Sequence, residues 1–180
     1  MVSHGEIPED MAVNWRRLAS GLEIEPLVAQ IADHAELWNA DPCWIPRTAA
    51  YAPDNIVIRY DHKDRHWRYW DKPARKLLSA VEPILDTMMG RANCRLLGKV
   101  GITRMAAGDV LGMHVDATRR PVYFERYQVP LDVGDAEFLI DGEVVPMIPG
   151  TAVWFDKTAP HGVTAGTTPR LAMVVEMHIA

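Results

Sequence analysis

The stretch Ala136-Glu-Phe-Leu-Ile-Asp-Gly-Glu-Val-Val-Pro-Met-Ile-Pro-Gly-Thr-Ala-Val-Trp-Phe155 decides the fold class. It contains three short apolar segments separated by two turn signals. Asp141-Gly142 favours a two-residue hairpin, because glycine tolerates a positive φ angle. Pro149-Gly150 favours a second tight turn, since proline fixes its own φ and glycine accepts the left-handed conformation. The stretch therefore predicts consecutive strands at about 136–140, 143–147 and 151–155.

Further strands are predicted on both sides of this stretch. Segments rich in β-branched and aromatic residues, bounded by turn residues, predict strands at about 95–105, 110–116, 123–132, 161–164 and 170–178. So many short strands between about 95 and 180 are typical of a double-stranded β-helix, the cupin-like jelly roll. The sequence therefore predicts a mainly β protein with a jelly-roll core.

The N-terminal part, residues 1 to about 92, has a mixed helical and irregular pattern. Apolar residues at helical spacing predict a helix over Pro26–Ala40 and a longer one over Pro73–Met89. Pro83 is expected to kink the longer helix, and Gly90 to end it. Asn55–Tyr60 predicts a strand. We expect the helices to pack against the jelly roll.

Composition sets bounds on the class of protein. The chain has 180 residues, a net charge of −5 and 48% hydrophobic residues, which is typical of one globular domain spanning 1–180. The acidic balance and the lack of a basic tract do not favour nucleic-acid binding. Cys43 and Cys94 do not form a Cys-x-x-Cys pair and are expected to be reduced thiols. No signal peptide or membrane-spanning apolar run is visible, so we expect a cytoplasmic protein with no membrane association.

Four polar residues of the jelly-roll region point to metal chemistry. On a strand, His114 and Asp116 of His-Val-Asp would share a face and could reach one ion. His161 lies on a later strand that a jelly roll can bring alongside. Two imidazoles and one carboxylate are the ligand set of non-haem Fe(II) oxygenases. Arg170, on the last strand, is suited to clamp a dicarboxylate co-substrate. The alternative is a strand-end histidine, a solvated aspartate and a surface arginine.

The motifs around these residues carry a family resemblance. They are Ile102-Thr-Arg-Met-Ala-Ala-Gly-Asp109, Arg126-Tyr-Gln-Val-Pro-Leu131 and Pro149-Gly-Thr-Ala-Val-Trp-Phe-Asp156, in order with His114-Val-Asp116, His161-Gly-Val163 and Arg170. This C-terminal half resembles the aspartyl/asparaginyl β-hydroxylase-like branch of the Fe(II)/2-oxoglutarate-dependent dioxygenases, which includes proline hydroxylases. The resemblance implies that fold and that enzyme class for this chain.

The resemblance also implies roles for individual residues. His114, Asp116 and His161 would hold Fe(II), and no catalytic residue is expected beyond these ligands. Arg170 would bind the distal carboxylate of 2-oxoglutarate, and Arg126 would assist co-substrate binding. The implied cofactors are Fe(II), 2-oxoglutarate and O2. The implied reaction hydroxylates an unactivated C–H bond, and we expect the substrate to be an amino acid, an amino-acyl residue or another small molecule.

Three residues are candidates for substrate contact, and two of them, Arg104 and Trp67, have a structural alternative. Arg104 precedes the predicted metal strand and could bind a substrate carboxylate or phosphate, or point outward. Gln128 stands where the family often has a histidine. Trp67 belongs to an aromatic N-terminal region that could form a pocket wall or a packing layer. Two other functions stay open from the sequence: a cupin-like metalloenzyme that does not use 2-oxoglutarate, and a non-catalytic jelly roll that binds a small ligand.

Overall fold

The structure, a computed structural model, describes residues 14–41, 53–61, 69–116 and 123–179. The described strands form two antiparallel sheets. The major sheet has the order β1-β9-β6-β11-β4-β2-β3 and the minor sheet the order β5-β10-β7-β8. The strands are β1 Trp15–Ala19, β2 Asp54–Asp61, β3 Tyr69–Asp71, β4 Cys94–Met105, β5 Val110–His114, β6 Glu125–Asp132, β7 Glu137–Ile140, β8 Glu143–Val145, β9 Ala152–Phe155, β10 His161–Thr164 and β11 Arg170–Ile179.

All eight strands predicted between 95 and 180 are present. Successive strands lie in different sheets, except for the β7–β8 hairpin within the minor sheet, and this order is that of a jelly roll. The predicted mainly β jelly-roll fold is confirmed, and the described strands do not close into a barrel. The two turn signals also act as expected. Asp141 and Gly142 both have positive φ, at 50° and 82°, and Gly150 has φ 73°. The predicted strand 55–60 is confirmed as β2, whereas β1 and β3 were not predicted.

Hydrophobic packing occurs in two layers, one on each face of the major sheet. The first layer joins the helices to the sheet through residues such as Leu27, Leu85 and Met173. The second lies between the two sheets and includes Met105, Phe155 and residues of β7 and β10. Both faces of the central strands are therefore buried, and polar residues that point between the sheets, such as Arg170 and Glu176, are buried with them.

The helices differ from the prediction in their bounds. They are α1 Glu25–Asp33, α2 Pro73–Leu77 and α3 Val81–Ala92, with a short 3-10 helix at Ala35–Leu37. The predicted kink at Pro83 is wrong, because the chain breaks before it, between Leu77 and Val81. Pro83 lies in the first turn of α3, where its missing N–H costs no helical hydrogen bond.

The end predicted at Gly90 is also wrong. The helix α3 continues to Ala92, and Asn93 ends it in the left-handed conformation, with φ 52° and its N–H directed to the carbonyls of Gly90 and Met89. Asparagine takes the place that glycine often has at such a position.

The two predicted cysteine thiols differ in what the structure describes. Cys94 is a free thiol, and burial raises its pKa. Cys43 lies outside the described residues. Among the described helices, none combines the length and apolar character needed to cross a membrane.

Candidate metal centre

The strand register brings His114 and His161 together. β5 and β10 are antiparallel neighbours, and His161 is the direct partner of His114. Their ring centroids lie 4.3 Å apart. His161 is buried at 3% exposure, with its ring 5.0 Å from that of Phe155 in the inter-sheet layer. Two histidines that are far apart in the sequence therefore lie side by side at one edge of the minor sheet.

Asp116 completes the cluster just beyond the end of β5. Strand β5 ends at His114, earlier than predicted, but the N–H of Asp116 donates to the carbonyl of Lys157 at 2.9 Å and holds the chain beside β10. His114, Asp116 and His161 each offer a ligand atom, and these atoms lie within 4.8 Å of one another. Within the described residues, these three form the one group of His, Cys, Asp or Glu that could hold a metal ion.

The protonation of both rings fits metal binding. Nδ1 of His114 lies 2.9 Å from the carbonyl oxygen of Gly112, and Nδ1 of His161 lies 2.9 Å from that of Ala159. A carbonyl only accepts hydrogen bonds, so in a neutral ring Nδ1 carries the proton and Nε2 presents a lone pair to a metal. Backbone partners of this kind fix the orientation of metal-binding histidines.

The Nε2 atoms do not hydrogen-bond the carboxylate directly. Nε2 of His161 is 3.6 Å from Oδ2 of Asp116, and Nε2 of His114 is 3.9 Å from Oδ1. Both distances exceed the hydrogen-bonding range. Burial lowers the pKa of His161, while its hydrogen bond to Ala159 and the nearby Asp116 carboxylate oppose this shift. The net lowering of the pKa favours the neutral form of His161, which is the form that binds metals. Two imidazole nitrogens and a carboxylate facing a common point suit iron.

Arg170 lies on the inter-sheet face of β11 and is 3% exposed. Its register partner on β4 is Met105, a member of the inter-sheet layer. Nη2 of Arg170 donates to Oε1 of Gln128 on β6 at 2.6 Å. The structure thus brings Gln128 and Arg170 together, as a buried guanidinium anchored by a neutral amide.

Arg126 shares the inter-sheet face of β6 with Gln128, two residues away. Its Nη1 donates to Oδ2 of Asp116, and its Nη2 donates to Oε1 of Glu176 at 2.8 Å. The Nε atom of Arg126 is buried and has no hydrogen-bond partner among the described residues. Sequence reasoning missed Glu176, although its even separation from Arg170 along one strand places both on the same face.

Arg104 does not join these residues. Its partner on β11 is Leu171, which packs in the layer between sheet and helices, so Arg104 points away from the inter-sheet space. Its guanidinium pairs with Asp54 at 2.7 Å and lies 4.3 Å from the centre of the Trp38 ring. Arg104 therefore lies apart from the other candidate residues, and its contact with a substrate stays a prediction. Trp67 lies outside the described residues.

Solved structures at low sequence identity share the fold of this chain. One is a 2OG-Fe(II) oxygenase family oxidoreductase from Burkholderia pseudomallei, with 18% identity and a TM-score of 0.64 over 92% of this chain and 84% of that one. Another is a prolyl-4-hydroxylase from Pseudomonas putida, with 16% identity and a TM-score of 0.55 over 95% of this chain and 96% of that one. A third is a prolyl hydroxylase from Trichoplax adhaerens in complex with a hypoxia inducible factor peptide fragment (12%, 0.64, 92% and 83%). No curated protein sequence matches the chain.

The sequence profile of the family described as Aspartyl/Asparaginyl beta-hydroxylase matches residues 65–178, which is more than half of the chain. The protein therefore belongs to the aspartyl/asparaginyl β-hydroxylase family. This membership confirms the resemblance seen in the sequence motifs, and with it the expectation of a dioxygenase that uses iron(II) and 2-oxoglutarate.

Proposed function

We propose that the protein hydroxylates an unactivated C–H bond of an amino acid or amino-acyl residue, and that residues 1–180 act as one domain. In this proposal His114, Asp116 and His161 hold Fe(II), and Arg170 binds the distal carboxylate of 2-oxoglutarate. The observation that carries it is the convergence of both sets of groups on the space between the two sheets. Bound iron would activate O2 at the expense of 2-oxoglutarate, which is redox chemistry that side chains cannot supply.

The residues of the chain would bind and orient the reactants. Arg170 is buried and positively charged, and a guanidinium can bind a carboxylate through two parallel hydrogen bonds. Gln128 would fix the direction of this guanidinium without neutralising it, because its amide oxygen accepts a hydrogen bond but carries no charge. The buried Nε of Arg126 offers a further donor beside Asp116, as expected of a residue that assists co-substrate binding.

Apolar side chains border the candidate site on the side of His161. Met105, Phe138 and Phe155 lie between the sheets, and Phe155 contacts the ring of His161, whereas the His114 side chain is 35% exposed. An apolar wall of this kind would limit access of water from one side and help to hold a target carbon near the reacting groups. The amino-acyl part of the proposal is supported by two of the similar structures being prolyl hydroxylases.

The proposal is tested with purified protein, Fe(II), ascorbate and 2-oxoglutarate. We expect slow formation of succinate without substrate and faster formation when the right amino-acyl compound is added, with the product gaining one oxygen atom by mass spectrometry. A panel of free amino acids and their N-acetyl amides separates a free from a peptide-bound substrate. Absence of any succinate would contradict the dioxygenase reaction and favour a ligand-binding jelly roll. Succinate formation stimulated only by compounds lacking an amino-acyl group would contradict the substrate class.

A further inference from the structure

Glu176 is a buried carboxylate that the proposed chemistry does not use directly. It is 2% exposed and lies on β11, six residues after Arg170 and on the same inter-sheet face. An ionised carboxylate buried to this extent is costly unless a cation and further hydrogen bonds compensate it. Its retention inside the sheet therefore calls for a specific partner.

That partner is Arg126, and the register of the sheet makes the two residues neighbours. Glu176 and Arg126 are directly opposite each other on β11 and β6. Directly opposed residues in an antiparallel pair have Cβ atoms about 4.5–5.5 Å apart. The resulting contact joins Oε1 of Glu176 to Nη2 of Arg126 at 2.8 Å.

The opposite end of the same guanidinium reaches a candidate metal ligand. Nη1 of Arg126 donates to Oδ2 of Asp116. A guanidinium is planar and presents its N–H groups in a fixed fork, so fixing one nitrogen constrains the direction of the others. Asp116 lies beyond the end of β5, where no strand pairing holds its side chain. Among the described residues, Arg126 is the side chain that hydrogen-bonds the Asp116 carboxylate and so sets its orientation, and Glu176 sets the orientation of Arg126.

We propose that Glu176 is a positioning residue, which acts through Arg126 to hold the Asp116 carboxylate in the orientation that binds the metal. This inference rests on the proposed function in that it takes Asp116 as a ligand. It assigns to Glu176 no contact with substrate or metal. Residues that orient metal ligands without contacting the metal typically contribute about 10- to 100-fold to metal affinity or activity.

Co(II) binding gives a readout that does not depend on turnover. The full chain is titrated with Co(II), following the d–d absorption spectrum, for wild type, Glu176→Met and Glu176→Gln. Methionine has a similar length but no acceptor for Nη2 of Arg126, so we expect Glu176→Met to weaken Co(II) binding by on the order of 10-fold and to alter the spectrum. Glutamine keeps a neutral acceptor, so Glu176→Gln should have a smaller effect. Thermal unfolding shows whether each variant is folded. Glu125→Gln is the matched control, because Glu125 neighbours Arg126 on β6 but bonds the Tyr127 hydroxyl on the other face.

A double-mutant cycle separates positioning from simple charge attraction. If Glu176 acts through Arg126, Glu176→Met should have little further effect in an Arg126→Gln background. An equal loss of Co(II) affinity in both backgrounds would overturn the proposal, as would a folded Glu176→Met variant with wild-type affinity and spectrum. A wild-type protein that binds no Co(II) would instead count against the proposed metal centre itself.

Discussion

His114 and His161 are direct cross-strand partners on β5 and β10, with ring centroids 4.3 Å apart. Each ring donates its Nδ1 hydrogen to a carbonyl of its own strand or turn, so both Nε2 atoms are directed toward Asp116. The pairing of two short strands therefore sets the geometry of the candidate metal centre, and changes to that pairing should alter metal binding.

Gly162, next to His161, tests this dependence on strand pairing. A Cβ atom at Gly162 would lie 2.9 Å from the carbonyl oxygen of Leu111 and 3.0 Å from the sulfur of Met113. Gly162→Ala should therefore push β5 from β10, cost about 1–3 kcal/mol in the free energy of unfolding and weaken Co(II) binding. Urea unfolding and a Co(II) titration measure the two effects.

Gly112 provides the matched control on the partner strand. A Cβ atom there would meet nothing within 4 Å in the described structure. Gly112→Ala should therefore leave Co(II) affinity close to wild type. Equal Co(II) affinities for the two alanine variants would show that close contact between β5 and β10 at Gly162 does not control the site.

Arg170→Leu tests the co-substrate clamp. Leucine cannot form the charged hydrogen bonds that the buried Arg170 guanidinium would donate to the distal carboxylate. The substitution should therefore weaken 2-oxoglutarate binding by on the order of 100-fold. Co(II) affinity should change little, since Arg170 donates its hydrogen bond to Gln128 and is not itself a candidate ligand. Calorimetric titration of the Co(II) protein with 2-oxoglutarate measures the loss. Arg104→Leu is the control and should bind 2-oxoglutarate normally, because Arg104 lies on the opposite face of the sheet. Weakening of equal size in both variants would disprove the assignment.

Two variants of Gln128 should separate its anchoring role from charge. Gln128→Leu removes the acceptor that holds Arg170 and should weaken 2-oxoglutarate binding by about 10-fold. Gln128→Glu keeps an acceptor but places a negative charge beside the Arg170 guanidinium, which competes with the co-substrate carboxylate. It should therefore weaken 2-oxoglutarate binding further than Gln128→Leu does. The same calorimetric titration applies. Wild-type 2-oxoglutarate affinity in Gln128→Glu would be incompatible with Arg170 as the clamp.

Asn93 tests the corrected end of α3. Its φ of 52° lies in the left-handed region, where a residue with a Cβ atom is strained by about 1–2 kcal/mol. Asn93→Ala should lower the free energy of unfolding by about 1 kcal/mol, whereas Asn93→Gly should be neutral or stabilising. Urea unfolding of the three proteins gives the order, and a more stable alanine variant would contradict a left-handed end at this position.

The turn residues explain why the jelly roll was predictable from sequence. Asp141-Gly142 and Pro149-Gly150 define local conformations that depend on few neighbours, so the strands around them could be placed. The break before Val81 could not be placed, because the stripe of apolar residues continues across it. Register is likewise a property of the assembled sheet, which is why the pairing of Arg126 with Glu176 was missed.

Arg104 illustrates a second limit. Strand β4 is buried on both faces, against the helices on one side and the minor sheet on the other. Its sequence therefore lacks the alternation of apolar and polar residues that would mark the face toward the metal centre. The clustering of His114, Asp116 and His161 was easier to predict, because their residue types are those that iron sites require.

The most direct test of the central claim is the anaerobic visible spectrum of the Fe(II) protein during titration with 2-oxoglutarate. If the three candidate ligands and Arg170 bind iron and co-substrate in one site, wild type should develop a saturable iron-to-2-oxoglutarate charge-transfer band. His161→Ala should lose the band at equal iron and co-substrate concentrations. No band in wild type, or the same band in His161→Ala, would contradict the account.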